Sequence, residues 1–565
     1  MALLRAAQAM FAISLFGCRQ AATGVASSIS SGPAARPSTV ASNARFADQT
    51  DGAGLSFVQS HAGCGLVYFI EQMASGACVV DANGDGFPDL YFPQPKPIGA
   101  CVGKVKGDFR QHLFINDRRG HFDLAPNAFH GVETDYGMAA AAGDYDNDGH
   151  QDLYVCCAGK NKLFHNRGDG TFEDVTDRAG VGVTGFSTGA VWFDYDNDGK
   201  MDLYVLRYAK WSVDIDQPCY TSTHERDTCK PTTYPAATNV LFHNNGDGTF
   251  TDVTKKAGAA PALRRSLSAA AVDLDNDGYL DLFVANDLAQ NYLLHNNRNG
   301  TFTDVSMEQN TAFGLTGVAQ ANMGIAVGDY NGSGRMSIAI TTFANEPFTL
   351  YRNDGDYFTD VSGTTGISQA TMPFLGFGTC FLDARNLGTL DLFFANGHVS
   401  RYSERDNPQW KWRERNLLLL NDGTGRFADA PDALPKQDIK VHRGTCFLDY
   451  NNDGKMDLLV TAANDRPTLL RNETAGGNWL LVKLTNKYGC DTPVGAKCIA
   501  TIAGRKLTRA VLGGGGYGGN SDYRVHFGLG KAESVGRLEI HWLGGGVQVL
   551  DNVKANQVLS VRQTP

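Results

Sequence analysis

The stretch Ala190-Val191-Trp192-Phe193-Asp194-Tyr195-Asp196-Asn197-Asp198-Gly199-Lys200-Met201-Asp202-Leu203-Tyr204-Val205-Leu206 sets an acidic turn with one glycine between two apolar runs. The runs are rich in β-branched and aromatic residues, the composition of buried strands. The same acidic turn begins again at Asp81, Asp144, Asp273, Asp329, Asp383 and Asp449. Self-similarity repeated along a chain marks a repeat architecture, so seven copies imply seven structural units.

A second recurring element lies between these turns. Its clearest copy is Asn239-Val240-Leu241-Phe242-His243-Asn244 followed by Gly246-Asp247-Gly248-Thr249-Phe250-Thr251-Asp252-Val253. Asn-Gly and Asp-Gly pairs between apolar runs are hairpin signals, because these residues tolerate positive φ. The element returns at Asn161, Asn291 and Asn416, with weaker copies around His112 and Phe348. Each unit therefore supplies about four short strands, the content of one propeller blade. The expected fold is all-β, a seven-bladed β-propeller over residues 46–477, whose radial closure removes the open edges that would otherwise aggregate. A linear solenoid is the structural rival.

The acidic turns have the chemistry of a cation site. Carboxylates at loop positions 1, 3, 5 and 9, with a carbonyl from position 7, bring several hard oxygens to one ion, and the glycine at position 6 permits the sharp turn. An EF-hand would need a bidentate Glu at position 12 and flanking helices, whereas here the flanks are strands. Calcium tolerates such a flexible loop; magnesium demands a more rigid shell. Five loops keep the pattern: Asp81, Asn83, Asp85, Asp89; Asp144, Asp146, Asp148, Asp152; Asp194, Asp196, Asp198, Asp202; Asp273, Asp275, Asp277, Asp281; and Asp449, Asn451, Asp453, Asp457. About five Ca2+ sites are expected, chiefly as staples of the blades. The fifth loop carries Ser333 and Ser337, and the sixth Arg385 and Leu387, where ligands are needed. Both are expected to hold no ion, with Arg385 standing in for the missing cation.

The 565-residue chain has a formal net charge of -10, which speaks against a nucleic-acid surface, since that requires clustered Lys and Arg. Residues 1–17 carry one charge, Arg5, and an apolar stretch too short to span a bilayer, the pattern of a signal peptide. Leu15-Phe16-Gly17-Cys18 resembles a bacterial lipobox, which makes Cys18 the lipidation candidate and residues 18–45, rich in Ala, Ser, Gly and Pro, its tether. The expected location is exported, periplasmic or at the cell surface, with membrane association through that lipid anchor only. Twelve cysteines in an exported chain suggest disulfides, the local candidates being Cys219 with Cys229 and Cys490 with Cys498.

Residues 478–565 show alternating runs such as 479–484 and 537–542, read as a C-terminal antiparallel β-sandwich. In order along this tail stand Asn486, Gly495-Ala496, Gly513 to Gly516, Tyr517, Arg524-Val525-His526-Phe527-Gly528-Leu529-Gly530 and Trp542. With the repeats, they make the chain resemble the ASPIC/UnbV (CRTAC-like) family, with FG-GAP/VCBS repeats of the integrin-α-like propeller type. It departs from that pattern after the tryptophan, where Leu543-Gly544-Gly545 replaces the usual Pro-Ser-Gly. The resemblance implies a calcium-binding propeller that serves adhesion or protein interaction at the cell envelope, with a protein or glycan as ligand.

Two long inserts also look family-like. One carries Trp211, Cys219, Cys229, Pro231 and Tyr234; the other runs from Asn396-Gly397-His398-Val399 to Arg401, Tyr402, Trp410, Trp412, Arg413 and Arg415. Trp and Arg are favoured at binding hot spots, which makes His398, Trp410, Trp412 and Arg413 the partner-binding candidates. No residue set specifies a catalytic chemistry. Gly185-Phe186-Ser187-Thr188-Gly189 matches the hydrolase elbow as a string, yet it leads into a strand where the elbow needs a strand-to-helix turn. Cys78, Cys380 and Cys446 each stand three residues before a loop aspartate, as small inner-strand residues, an inter-blade disulfide or a soft-metal site. The rival function is an enzyme or accessory protein of a biosynthetic or redox pathway with its site on one propeller face.

Overall fold

The structure is a computed structural model, and it describes residues 43–564. Each acidic turn joins two antiparallel strands, and two further antiparallel strands complete a four-stranded sheet. The first sheet takes Cys78–Val80, Asp89–Phe92, His112–Asn116 and Phe122–Leu124 in that order. Six more four-stranded sets repeat this order, with first strands Tyr136–Gly143, Thr184–Phe193, Ser266–Val272, Ile325–Gly328, Gly376–Leu382 and His442–Leu448, the sets of Tyr136–Gly143 and Thr184–Phe193 being joined into one eight-stranded sheet where Thr184 to Phe186 pair with Ala158 to Lys160. We number them blades 1 to 7. The outermost strand of blade 7 is Phe46–Asp48, from the other end of the described chain, paired antiparallel with Thr468–Asn472. The all-β propeller expectation stands on this topology.

The first strands pack against one another in blade order, and that of blade 7 returns to that of blade 1. A set of asparagines ties the blades together at their acidic ends. Asn244, Asn296, Asn353, Asn421 and Asn472 each donate a side-chain N–H to a backbone carbonyl in the loop of the preceding blade: Tyr145, Tyr195, Leu274, Tyr330 and Ala384, at 2.7 to 3.0 Å. Asn116 does the same from blade 1 to Tyr450 of blade 7 at 2.7 Å. These asparagines are buried, so each bond removes a carbonyl that would otherwise be stranded away from water.

Residues 478–562 form two further sheets that share one apolar core, with Leu480, Val482, Phe527, Leu538 and Ile540 inside. One pairing differs from the antiparallel expectation. Asn478–Thr485 runs parallel to Gln557–Arg562, because the last strand returns beside the first after the chain has crossed the second sheet.

Between its strands this C-terminal region sends residues 511–524 back into the ring. Gly513–Gly514 pairs antiparallel with Ala270 and Ala271 of blade 4, and Gly516 exchanges backbone hydrogen bonds with Ile325 of blade 5. The Gly518 carbonyl accepts from Ala140 of blade 2, the Asn520 carbonyl from Val79 of blade 1, and the Asp522 N–H donates to Phe447 of blade 7. Tyr517 packs its ring against Phe377 of blade 6, and Gly513 lies against the Trp192 carbonyl of blade 3. The thread thus meets all seven first strands and uses backbone groups that face the ring's axis. A side chain at Gly519 would place its Cβ 1.4 Å from the Ala77 carbonyl, so only glycine passes there.

Candidate metal centres

In blade 2 the loop folds around its first aspartate. Asp144 accepts the N–H groups of Asp148 at 3.1 Å and Gly149 at 3.0 Å. Asp81, Asp194, Asp273 and Asp449 accept the equivalent pairs at 2.8 to 3.3 Å. Position 4 is left-handed, with φ of 61° at Asn147, 60° at Asn197 and 63° at Asn276, which explains the Asn in the repeat. The ninth-position aspartate is a hub: Asp152 accepts from Tyr145 N–H at 3.2 Å and Asn166 N–H at 2.8 Å.

This folding gathers carboxylates. Oxygens of Asp144, Asp146 and Asp152, of Asp194, Asp196 and Asp202, and of Asp273, Asp275 and Asp277 lie within 4.8 Å of one another in each set, close enough to hold a metal ion. The Asp196 Oδ1 atom is buried with no hydrogen-bond partner, an orphaned acceptor that a cation would satisfy. Burial pushes Asp144 up to about 8, Asp152 to about 7, Asp194 to about 7 and Asp202 to about 6. Without a cation these carboxylates repel and hold protons; a divalent ion would displace them.

Sequence reading missed three histidines. His165 Nδ1 lies 3.2 Å from Asp152 and 3.3 Å from Asp146; His243 stands equally against Asp202 and Asp196, and His295 against Asp281 and Asp275. The hydrogen bond to Asp152 lifts His165 to about 9. The signal was present: each histidine directly precedes the asparagine that ends the third strand, at Asn166, Asn244 and Asn296.

In blades 1 and 7, Asp81, Asn83, Asp85 and Asp89, and Asp449, Asn451, Asp453 and Asp457, form the same turn with an amide at position 3. Cations from elsewhere reach these turns. Arg118 bonds Asp85 at 2.8 Å, Lys483 bonds Asp81 at 3.2 Å and Arg471 stands 3.6 Å from Asp453. In blade 4, Arg298 reaches Asp277 at 2.5 Å. In blade 5, Asn353 N–H meets the Ser337 hydroxyl at 3.3 Å in place of a carboxylate. In blade 6 the Arg385 guanidinium donates to Asp391 at 2.8 Å and to the Asn421 carbonyl at 2.6 Å, so a cationic side chain stands among the oxygens.

The acidic turns join first to second strands, and the C-terminal sheets lie against that end. Asp491 N–H bonds Asp144, Lys497 approaches Asp273 and Asn276, and His526 meets the Gly454 carbonyl. The long inserts join second to third strands, which puts them at the opposite end of the blades. There Ser400 of the blade 6 insert bonds Asp227 of the blade 3 insert at 2.6 Å, and Arg405 pairs with Glu225 at 2.7 Å. Trp412 and Arg413 are exposed, while Trp410 is half-buried. His398 corrects the expectation of a surface contact: it is buried, its ring between Trp410 and Phe343, because the insert folds inward.

Cys219–Cys229 forms a disulfide, and so does Cys64–Cys101, which the sequence reading did not pair. Cys490 and Cys498 are not bonded to each other. The Cys490 thiol faces the Asp144 carbonyl, whereas Cys498 sits in a strand whose hairpin partner is Arg505–Ala510, so the two never lie across one hairpin. Ser187 lies within a strand and accepts from the Asn161 amide, a core hydrogen bond. Cys78, Cys380 and Cys446 are free and buried, and the Cys78 thiol donates to Asn520 of the thread. Cys18 lies outside the described residues.

A family model described as "ASPIC and UnbV" matches residues 489–565, and one described as "FG-GAP-like repeat" matches 144–205, 232–284, 273–340 and 388–460. Cartilage acidic protein 1 of Homo sapiens is 26% identical over 293 residues, 50% of this chain and 41% of that protein. The Xenopus tropicalis protein of the same name is 26% identical over 287 residues, 48% of this chain and 41% of its own length. The chain therefore matches less than half the length of these relatives. Among solved structures, BBS1N in complex with ARL6DN aligns with TM-score 0.42 and 11% identity over 77% of this chain and 99% of that one. YCF48 bound to D1 peptide aligns with TM-score 0.37 and 7% identity over 71% and 93%. FG-GAP-like repeats thus lie in the sheets and an ASPIC and UnbV segment covers residues 489–565, and over half of its length the chain is similar to cartilage acidic protein 1.

Proposed function

We propose that this chain is an exported, calcium-binding β-propeller that works as a protein-interaction module at the cell envelope. The observation that carries the interaction reading is the distribution of exposed apolar side chains. Ile215, Tyr220, Leu263, Leu315, Val318 and Trp412 are all exposed, and all lie on connections at the insert end of the blades. The acidic end is occupied by the C-terminal sheets. Exposed apolar groups concentrated on one face mark a contact surface, and Trp412 beside Arg413 supplies the residue types favoured at hot spots.

Calcium suits the acidic turns, whose ligands are hard oxygens on flexible loops. Up to five ions would act as staples that fix the blades and so the presenting face. The two disulfides fit an oxidising, extracytoplasmic compartment. The Cys18 anchor completes the proposal, with the ring tethered to a membrane that none of its described helices is long and apolar enough to cross.

The test is a pull-down from envelope extract with the calcium-loaded protein, wild type against a Trp412→Asp, Leu315→Asp variant. A specific protein retained by the wild type and lost by the variant is the expected result. Equal retention by both would place the contact elsewhere, and retention of glycans alone would overturn the protein-partner reading.

A further inference from the structure

Arg443 is 1% exposed, and among the described residues it forms no ion pair. Its Nε donates to the Gln72 carbonyl at 2.7 Å, its Nη1 donates to the carbonyls of Gly397 at 2.9 Å and His442 at 2.8 Å, and its guanidinium lies 4.1 Å from the Phe377 ring centroid. Carbonyls and a ring face supply partial charge and no counter-ion. A buried cation in that state is costly unless an anion completes it.

The surroundings are rich in unused donors. His398, which follows the Gly397 carbonyl that Arg443 bonds, accepts the Ser400 N–H on Nδ1 at 3.0 Å, which leaves the proton on Nε2. That Nε2 is buried without a partner, and so are Trp410 Nε1 in the ring stacked on His398 and Gln72 Nε2. Glu414 is the nearby carboxyl group that could neutralise Arg443, and one of its oxygens is equally unpartnered. Burial pushes Glu414 up to about 8, which favours its neutral form, and it forms no ion pair with Arg443. Burial likewise drives His398 down to about 4, so it adds no charge. Among the described residues Arg443 thus has no ion-pair partner, and buried donors that lack acceptors accompany it.

We propose that Arg443 anchors a buried site for a small monovalent anion, a halide or a carboxylate as small as formate, with His398 Nε2–H and Trp410 Nε1–H as neutral donors. The size limit follows from burial, Arg443 and His398 being 1% and 3% exposed. The bonds of Ser400 to Asp227 and Arg405 to Glu225 hold the two inserts together. Arginine offers the charge, and two aromatic N–H groups offer directed bonds that cost no second charge.

The experiment uses the full, calcium-saturated chain. In crystals grown with bromide, an anomalous peak within about 3.5 Å of the Arg443 guanidinium is expected. In solution, replacing chloride by gluconate at fixed ionic strength should lower Tm for the wild type and leave an Arg443→Met variant unchanged. If that variant does not fold, His398→Phe keeps the ring and removes the donor, and it should show a reduced chloride dependence. Adding formate to the bromide crystals distinguishes the two ligands: loss of the peak assigns the carboxylate, and its persistence assigns the halide. No bromide at Arg443, or a wild-type Tm identical in chloride and gluconate, overturns the proposal.

Discussion

The side-chain amide of Asn116, in blade 1, donates to the backbone carbonyl of Tyr450, in blade 7, at 2.7 Å. This bond spans 334 residues and joins the ends of the ring, repeating the link that five other asparagines make between successive blades. Asn116→Ala would strand two carbonyls, those of Tyr450 and Pro88. The expected loss is about 1–3 kcal/mol, measured by denaturant unfolding. A loss no larger than that of an exposed-site Asn→Ala control would show that ring closure does not depend on it.

Chelation tests the metal centres. With excess EDTA the protein should melt at lower temperature, since each ion at a hundred times its Kd contributes about 2.7 kcal/mol. The pH dependence follows from the raised values of Asp144, Asp152 and Asp194. In the metal-free protein these groups bind protons more tightly than in the unfolded chain, so their contribution is full below about pH 4 and is lost as pH rises through 7 to 8. His165, raised to about 9, acts in the same direction. The Tm gap between calcium-loaded and chelated protein should therefore widen from pH 5.5 to pH 8; a constant gap would mean that the ions do not replace those protons.

Arg385 offers a contrast within the same repeat. Its partner Asp391 is fully buried, and removing the guanidinium leaves that carboxylate with the Asn421 N–H but no cation. Arg385→Ala should cost about 3 kcal/mol, and Arg385→Ala with Asp391→Asn distinctly less. Equal costs in calorimetry would show that the pair contributes no coupling.

Gly519 tests the axial thread. With a Cβ 1.4 Å from the Ala77 carbonyl, Gly519→Ala must displace the thread or the blade 1 strand. Its cost should exceed about 3 kcal/mol, above the range for ordinary surface changes, whereas Gly504→Ala, in an open turn, should cost only the strain of its positive φ. Similar Tm values for the two variants would mean that the thread can leave the ring freely.

Much of the fold was legible because its signals are local. The turn at Asp194 to Asp202 holds its carboxylates, its glycine and its left-handed asparagine within nine residues, so one copy reveals the chemistry and repetition reveals the ring. The disulfide between Cys219 and Cys229 was legible for the same reason. His165, His243 and His295 were overlooked although they recur in register, because they reach the carboxylates from a different strand.

The sequence by itself determined the all-β repeat, the acidic composition of the turns and their degeneration in blades 5 and 6. Only the tertiary structure decided that residues 511–524 run inside the ring, that Cys64 pairs with Cys101, that Cys490 and Cys498 stay apart, and that His398 faces inward beside Arg443. The physical reason is separation along the chain. Ala77 and Gly519, or Gln72 and Arg443, meet only after every blade between them has packed, and no periodicity records a contact made once.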